Sequence, residues 1–279
     1  MAQTDENMID LTEHLPDLPT GLPERVFSVD NIPRPDWAIP VALTDLHEQR
    51  VARGLANRSF LALAEEIALF RIWAGPRLNN GEYSCWETDY GCWPQVKSAF
   101  EEFLQKQPFH EWDSRTMSDI LYIIARDNDS PSLARAVAEE PERLLFLAQA
   151  AVKSSEGDAK WQFAVEMSRL DRQQYPVEPL LLALFQDEDE YVRRQALMAL
   201  GRMRSPLAEG LVSAAWETGY EYQRMAALQI LNDLNSPQLT SYLEEAEQDS
   251  SQHLSAFAAR LKAGPPSVPS VPCVPIGVP

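Results

Sequence analysis

The chain has 279 residues, and its 24 lysine and arginine residues are outnumbered by 42 aspartate and glutamate residues, which gives a net charge of −18 at pH 7. A surface this acidic repels the phosphates of nucleic acids and anionic membranes, so the composition argues against both kinds of partner. Hydrophobic residues make up 45% of the sequence, as in folded proteins with a sizeable core. No apolar run approaches the ~20 residues that a membrane span needs.

Cysteine usage and the first residues of the chain bear on the compartment. Cys85, Cys92 and Cys273 are too few and too scattered for a disulfide framework, which favours a reducing environment. The first fifteen residues carry Asp5, Glu6 and Asp10 where a signal peptide would carry positive charge. We therefore expect a cytoplasmic protein.

Proline and charge divide the chain into four parts. Residues 1–45 form an acidic, proline-rich segment without an apolar period, and residues 46–130 form a helical part with a long aromatic loop at 76–94. Residues 131–263 are predicted to hold helical repeats. Residues 264–279 alternate valine with proline and carry almost no charge, so we expect a disordered tail.

Apolar residues at spacings of three and four predict an all-α fold. No segment alternates as a β-strand would. The predicted helices are Ala42–Gly54, Ser59–Trp73, Gln95–Gln107, Ser114–Asp127, Pro131–Glu139, Glu142–Lys153, Asp158–Gln173, Pro179–Gln186, Glu190–Met203, Leu207–Thr218, Glu221–Leu234, Gln238–Gln248 and Ser251–Lys262. Ser114, Ser130, Ser205 and Ser236 stand at helix starts, where a hydroxyl can cap free backbone N–H groups.

An internal repeat connects the helices after residue 176. Shifting the chain by thirty residues places Pro206 over Pro176 and Arg224 over Arg194, and a further shift of thirty-one places Pro237 over Pro206. Short helix pairs that repeat at this period are typical of an α-solenoid, in which each pair buries its apolar face against its neighbours. We expect three stacked helix pairs over residues 176–263.

One segment carries a family resemblance. Residues 190–203, EYVRRQALMALGRM, follow the acidic turn QDED, and this order of acidic turn, valine, arginine, small residue and leucines resembles the second helix of a HEAT repeat. The resemblance covers residues 176–263, with Ser130–Ser154 as a degenerate earlier repeat. It implies an α-solenoid of HEAT-like antiparallel helix pairs, a scaffold that binds other molecules through its surface side chains.

The sequence offers little that is typical of an enzyme. His14, His47, His110 and His253 are far apart and form no paired metal-ligand spacing, so we expect no metal and no other cofactor. Cys85 and Cys92 are seven residues apart without further ligands, which favours plain thiols over zinc. No nucleophile elbow or phosphate-binding glycine loop is present, and no catalytic residue is predicted.

Aromatic residues beside carboxylates form the predicted binding site. Trp86-Glu-Thr-Asp-Tyr90 is echoed by Trp216-Glu-Thr-Gly-Tyr220, and Trp112 stands at a third turn. These aromatic residues either plug the core beneath the turns or anchor a cationic partner, for which loop tryptophan and tyrosine are the usual hot spots. The acidic turn at 187–190 either caps its helix or contacts a basic partner. The predicted partner-binding residues are Trp86, Glu87, Asp89, Tyr90, Trp112, Asp187, Asp189, Trp216, Glu217, Tyr220 and Glu221.

Two functions of different classes remain. Small, strongly acidic HEAT-like proteins resemble the immunity proteins of bacterial toxin systems, which suggests a non-enzymatic scaffold that neutralises a basic protein partner, such as a secreted toxin domain, by stoichiometric binding. The alternative is a subunit similar to the HEAT-repeat phycobilin lyases, which attach bilin chromophores to phycobiliproteins. HEAT-like DNA glycosylases are a third resemblance, and the acidic charge argues against them.

Overall fold

The computed structural model describes residues 63–79 and 87–264. These residues form thirteen α-helices, two short 3₁₀ helices and no β-strand, which confirms the all-α, α-solenoid fold class. The α-helices are α1 (Leu63–Asn79), α2 (Trp93–Lys106), α3 (Ser114–Ile124), α4 (Leu133–Ala138), α5 (Pro141–Val152), α6 (Gly157–Met167), α7 (Glu178–Phe185), α8 (Glu190–Arg202), α9 (Pro206–Gly210), α10 (Val212–Glu217), α11 (Glu221–Asp233), α12 (Leu239–Glu247) and α13 (Gln252–Ala263). The 3₁₀ helices are Glu87–Asp89 and Phe109–Glu111.

The helices differ from the sequence prediction mainly at their ends. The predicted helix over 207–218 is two helices that break at Leu211, next to Gly210, a residue with low helix propensity. The predicted helix over 158–173 ends at Met167. The acidic segment 1–45, the predicted helix over 42–54, Cys85, Trp86 and the tail after Gly264 lie outside the described residues.

Serine and aspartate caps fix where several helices begin. The Ser205 hydroxyl caps α9 by accepting a hydrogen bond from the Leu207 N–H at 3.2 Å, and the Ser236 hydroxyl accepts one from the Gln238 N–H at 3.1 Å in the turn before α12. Arg204 and Asn235, just before these serines, have φ of 49° and 55°, so the same left-handed turn recurs between the pairs. Ser114 was predicted as a cap, but Asp113 is the cap of α3.

The repeat has a uniform period of 31 residues. Buried residues recur at this spacing in the first helices (Leu184, Ala215, Ala246) and in the second helices (Val192, Gln223, Leu254 and Ala196, Ala227, Ala258). The sequence alignment at thirty residues paired Arg224 with Arg194, and the structure pairs Arg224 with Arg193. Arg193 donates to the Asp187 and Glu188 carbonyls in the turn after α7, both at 2.8 Å, and Arg224 donates to the Trp216 carbonyl near the end of α10 at 2.9 Å.

The chain forms two compact units that divide between Ala183 and Leu184. In the second unit, α8 packs against α11 and α11 against α13, while α10 packs on α11 and α12 on α13. The α8–α11 approach is close, since a Cβ atom on Gly201 would lie 2.7 Å from Ile230 Cγ1. Stacked second helices are therefore the core of this unit.

An aromatic cluster lies in the core of the first unit. Phe70 is fully buried, and its ring centroid lies 5.1 Å from Tyr90, 5.7 Å from Trp93 and 6.2 Å from Tyr122. Tyr90 also contacts Trp73 at 5.0 Å and is only 3% exposed. Tyr90 was predicted as a partner anchor, and its position in this cluster makes it a core residue instead.

Glu87 is also buried, at 7% exposed, although it was predicted as a surface charge. Its carboxylate accepts hydrogen bonds from the N–H groups of Asn128 at 3.0 Å, Asp129 at 2.6 Å and Ser130 at 3.0 Å. Next to this loop, Asp127 accepts from two N–H groups at the start of α4. Burial, with a smaller contribution from the charge of Glu87, raises the pKa of Asp127 above its ordinary value. Glu87 therefore ties its 3₁₀ helix to the loop after α3.

We expect Glu87→Ala to lower the free energy of unfolding by about 2–4 kcal/mol, because three buried N–H groups lose a charged acceptor. Asp89→Ala is the matched control, since Asp89 is an exposed acidic residue of the same 3₁₀ helix and should have little effect. Urea denaturation of the full chain measures both. Equal, small losses for the two variants would show that the Glu87 carboxylate does not hold the loop.

Gln223 is an exception in the repeat, because it occupies a position that is apolar in the neighbouring pairs, Val192 and Leu254. It is fully buried, and within the described residues neither its Oε1 nor its Nε2 has a hydrogen-bond partner. Gln223→Leu should raise the free energy of unfolding by about 1–3 kcal/mol, since it removes an unsatisfied buried amide. Gln229→Leu is the control, because the Gln229 side chain is hydrogen-bonded to Asp233. A Gln223→Leu variant that melts lower than the parent would contradict this account.

Candidate functional site

The exposed aromatic residues concentrate in one region of the second unit. Among the described residues the large hydrophobic side chains that remain exposed are Tyr191 (37%), Leu207 (38%), Tyr220 (55%) and Tyr222 (56%). Tyr191 and Tyr222 are each the second residue of α8 and α11, and Tyr220 is the N-cap of α11. Because α8 packs against α11, the three tyrosines lie at neighbouring helix ends. Exposed tyrosine offers a rigid, partly apolar contact that interfaces favour.

Two arginines support these rings. Arg194 Cζ lies 4.7 Å from the Tyr191 ring centroid and 5.1 Å from that of Tyr222, and Arg193 Cζ lies 5.6 Å from that of Tyr220. Each arginine is itself held. Arg194 pairs with Glu190 at 3.1 Å, and Arg193 donates to two backbone carbonyls. We call Tyr191, Arg193, Arg194, Tyr220 and Tyr222 the tyrosine–arginine surface.

The acidic residues around this surface have local structural partners. The Asp189 carboxylate caps α8 by accepting from the Tyr191 N–H at 2.8 Å, and the Asp187 carboxylate accepts from the Asp189 N–H at 3.0 Å. The Glu217 carboxylate accepts from the Ser213 hydroxyl at 2.9 Å, and that of Glu221 accepts from the Ser251 hydroxyl at 2.7 Å. Hydrogen bonds from neutral groups leave the negative charge in place.

Negative charge therefore dominates the region. Six carboxylates stand in the turns before α8 and α11 or on the helix residues that border these turns, against the two arginines of the surface. These carboxylates belong to Asp187, Glu188, Asp189, Glu190, Glu217 and Glu221. Such a charge pattern favours a basic partner over an acidic one.

Trp216 is a core residue in this structure. It is 8% exposed, its ring centroid lies 4.9 Å from that of Tyr242, and its Nε1 donates to Glu245 Oε2 at 2.9 Å. The first of the two interpretations of the repeated Trp-Glu-Thr motif, a plug beneath the turn, therefore describes Trp216. Its counterpart Trp86 lies outside the described residues.

Trp112 is buried as well, at 6% exposed. Its Nε1 donates to the Gln107 carbonyl at 3.2 Å, and its ring centroid lies 5.3 Å from that of Phe103. Neither Trp112 nor Trp216 offers a free face to a partner. Of the predicted aromatic anchors in the described residues, Tyr220 alone is exposed.

Tyr191 and Tyr222 were not among the predicted site residues. They are 31 residues apart, and this spacing would have identified them as equivalent positions of two repeats. An alignment at thirty residues hides the equivalence, since it places Tyr222 over the buried Val192.

The first unit contains a shallow groove of about 320 Å³, between the loop after α3 and helix α6. Its lining includes Asn128, Arg135, Trp161, Gln162 and Glu166. Gln162 Nε2 donates to the carbonyls of Ile124 and Asp127, and Glu166 pairs with Arg169. This lining holds no nucleophile paired with a base, so the groove has no recognisable catalytic arrangement.

The described residues contain neither a cluster of metal ligands nor a helix that could span a membrane. No group of three histidine, cysteine, aspartate or glutamate side chains in residues 63–79 and 87–264 is placed to hold a metal ion. Over the same ranges, no helix combines the length and the apolar character that crossing a membrane requires.

Comparison with known proteins agrees with the repeat geometry. The family model for HEAT repeats matches residues 144–232 and, in an overlapping second match, residues 177–261. These matches run from α5 to α13 and include every stacked second helix of the second unit. No curated protein and no solved structure matches the chain. The matched part of the chain, residues 144–261, is therefore similar to HEAT repeats, in agreement with the all-helical fold and with the 31-residue helix pairs of the second unit.

Proposed function

We propose that the protein is a non-enzymatic scaffold that captures a basic protein partner on the tyrosine–arginine surface. HEAT repeats generally serve as protein-interaction scaffolds. The observation that carries the proposal is the clustering of three exposed tyrosines at the N-terminal ends of α8 and α11, where the adjoining turns are rich in carboxylates. The net charge of −18 on the whole chain also favours the approach of a basic partner.

The two kinds of side chain have separate roles in this proposal. Carboxylates such as Glu188 and Glu217 attract the partner and speed its association, an effect that salt weakens. The tyrosines exclude water and hold the complex once it has formed. Because Arg194 contacts both Tyr191 and Tyr222, the rings are partly ordered before binding, which reduces the entropy that binding costs.

In its specific form the proposal is an immunity protein that acts in the cytoplasm and neutralises a cognate bacterial toxin by stoichiometric binding. Its support is the resemblance of small acidic HEAT-like proteins to such inhibitors, together with the charge of this chain. A toxin domain with a basic substrate-binding face would match the acidic turns at 187–190 and 217–221.

The test starts with affinity capture from a lysate of the native host, followed by mass spectrometry. The bait is either the parent chain or a Tyr220→Ala/Tyr222→Ala variant. We expect the parent to retain a basic protein at a ratio of one to one and the variant to lose it. With the purified partner, Tyr222→Ala should raise the off-rate by about tenfold or more, as expected for a hot-spot residue. Glu188→Gln/Glu217→Gln should mainly lower the on-rate and flatten its salt dependence.

Leu207→Ala is the control for these variants, because Leu207 is 38% exposed in the same unit but lies outside the tyrosine–arginine surface. Loss of the partner's enzymatic or toxic activity on stoichiometric addition of the chain would support the immunity role. Capture that survives the tyrosine substitutions and is insensitive to salt would refute the proposed surface. Binding of a tetrapyrrole or of a bilin-carrying protein would favour the lyase alternative instead.

A further inference from the structure

One exposed ring recurs in each helix pair of the second unit. Tyr191, Tyr222 and His253 are each the second residue of a second helix, in α8, α11 and α13, and successive members are 31 residues apart. All three side chains are exposed. Since α8 packs against α11 and α11 against α13, the three residues follow one another along the stack. We call these three residues the aromatic ladder.

The spacing of the ladder can be bounded from the contacts of Arg194. Its Cζ lies 4.7 Å from the Tyr191 centroid and 5.1 Å from the Tyr222 centroid, so these centroids are at most about 10 Å apart. Packed helices have axes about 8–10 Å apart, which gives a similar step from α11 to α13. A peptide in the extended polyproline II conformation has three residues per turn and advances about 3.1 Å per residue, so residues three apart lie on the same face about 9 Å from each other.

Carboxylates stand beside each rung of the ladder. The turn before α8 holds Glu188 and Asp189, Glu217 ends α10 just before α11, and Asp249, which pairs with Arg224 at 2.7 Å, lies before α13. A ligand that follows the ladder therefore passes acidic residues at every step, with most of the negative charge beside Tyr191 and Tyr222, which favours a segment with repeated positive charge.

A tyrosine ring of this protein already holds two guanidinium groups. In the first unit, Arg71 Cζ and Arg126 Cζ lie 4.2 Å and 4.1 Å from the Tyr122 ring centroid. Tyr191 and Tyr222 both contact Arg194 and are 37% and 56% exposed, and the more exposed ring of Tyr222 has room for a second cation. Cation–π contacts at exposed rings are individually weak, but several such contacts along one ligand raise its affinity and fix its position along the row of rings.

We infer that the aromatic ladder binds an extended basic segment of the partner, with an arginine or lysine at every third residue and one such side chain on each rung. The inference deepens the proposed function and rests on it, since it names the part of the basic partner that the surface recognises.

Synthetic peptides test the ladder without a known partner. The probe is a fluorescein-labelled peptide of three Arg-Ser-Gly units, and its control has the same composition with the three arginines in one block. Binding to the full chain is measured by fluorescence anisotropy at low ionic strength. We expect the spaced peptide to bind about fivefold more tightly than the block peptide, since only the spaced one fills every rung.

Substitutions on the ladder identify the rings that are responsible for the preference for the spaced peptide. Tyr191→Ser/Tyr222→Ser should abolish the advantage of the spaced peptide, whereas Tyr191→Phe/Tyr222→Phe should keep it, because phenylalanine retains the ring. Leu207→Ser should change neither peptide's affinity. His253→Ala should weaken the spaced peptide of three units and leave one of two units unaffected. Unchanged melting temperatures exclude misfolding as the cause.

Equal affinities of the two peptides for the parent chain would overturn the inference, since the affinity would then depend on the net charge of the peptide and not on the spacing of its arginines. An advantage that persists in Tyr191→Ser/Tyr222→Ser would overturn it as well. These outcomes are separate from the proposed function. If capture of a basic partner depends on Tyr220 and Tyr222 but the two peptides bind with equal affinity, the inference about the ladder is wrong and the proposed scaffold function is still supported.

Discussion

The second unit depends on the contact between consecutive second helices. Helices of twelve or thirteen residues, such as α8, α11 and α13, are marginal alone in water, and each becomes stable when its apolar stripe packs against the next. Ala196, Ala227 and Ala258 repeat along that stripe, and Gly201 allows the close approach of Ile230. Because the second helices pack in one register, equivalent residues of successive helices are also exposed at equivalent positions along the stack. The helix packing that forms the core therefore also determines the spacing of the exposed rings.

The helices could be predicted because each must bury one face, and that requirement leaves an apolar period of three and four in the sequence. The register was harder to predict. Arg193 and Arg194 are adjacent, and either can be aligned with Arg224 from residue types alone. The choice depends on which arginine reaches back to the carbonyls of the preceding turn, a tertiary contact with no local signal. The break at Leu211 is similar, since the residues from 207 to 218 keep an apolar period throughout.

The candidate site was predicted less well than the fold. Charge and the HEAT resemblance indicated an acidic scaffold, but Tyr90, Trp112 and Trp216 were considered as exposed anchors and are buried. An aromatic residue at a turn can point inward or outward, and its direction depends on whether a helix distant in sequence offers side chains for it to pack against. Trp216 points inward because Tyr242 and Glu245 of α12 contact its ring and its Nε1. Glu87 could not be assigned for the same reason, because its three N–H donors lie some forty residues further along the chain.

The recurring junction between helix pairs has an evolutionary consequence. Ser205-Pro206 and Ser236-Pro237 are the same joint, each preceded by a residue in the left-handed conformation, and they bracket one full period. A tandem duplication of residues 206–236 would join Ser236 to a second Pro206 and so recreate that joint without a new loop. The length of the surface can therefore change in whole steps by unequal recombination, while point substitutions change the side chains that each step exposes and leave the core intact.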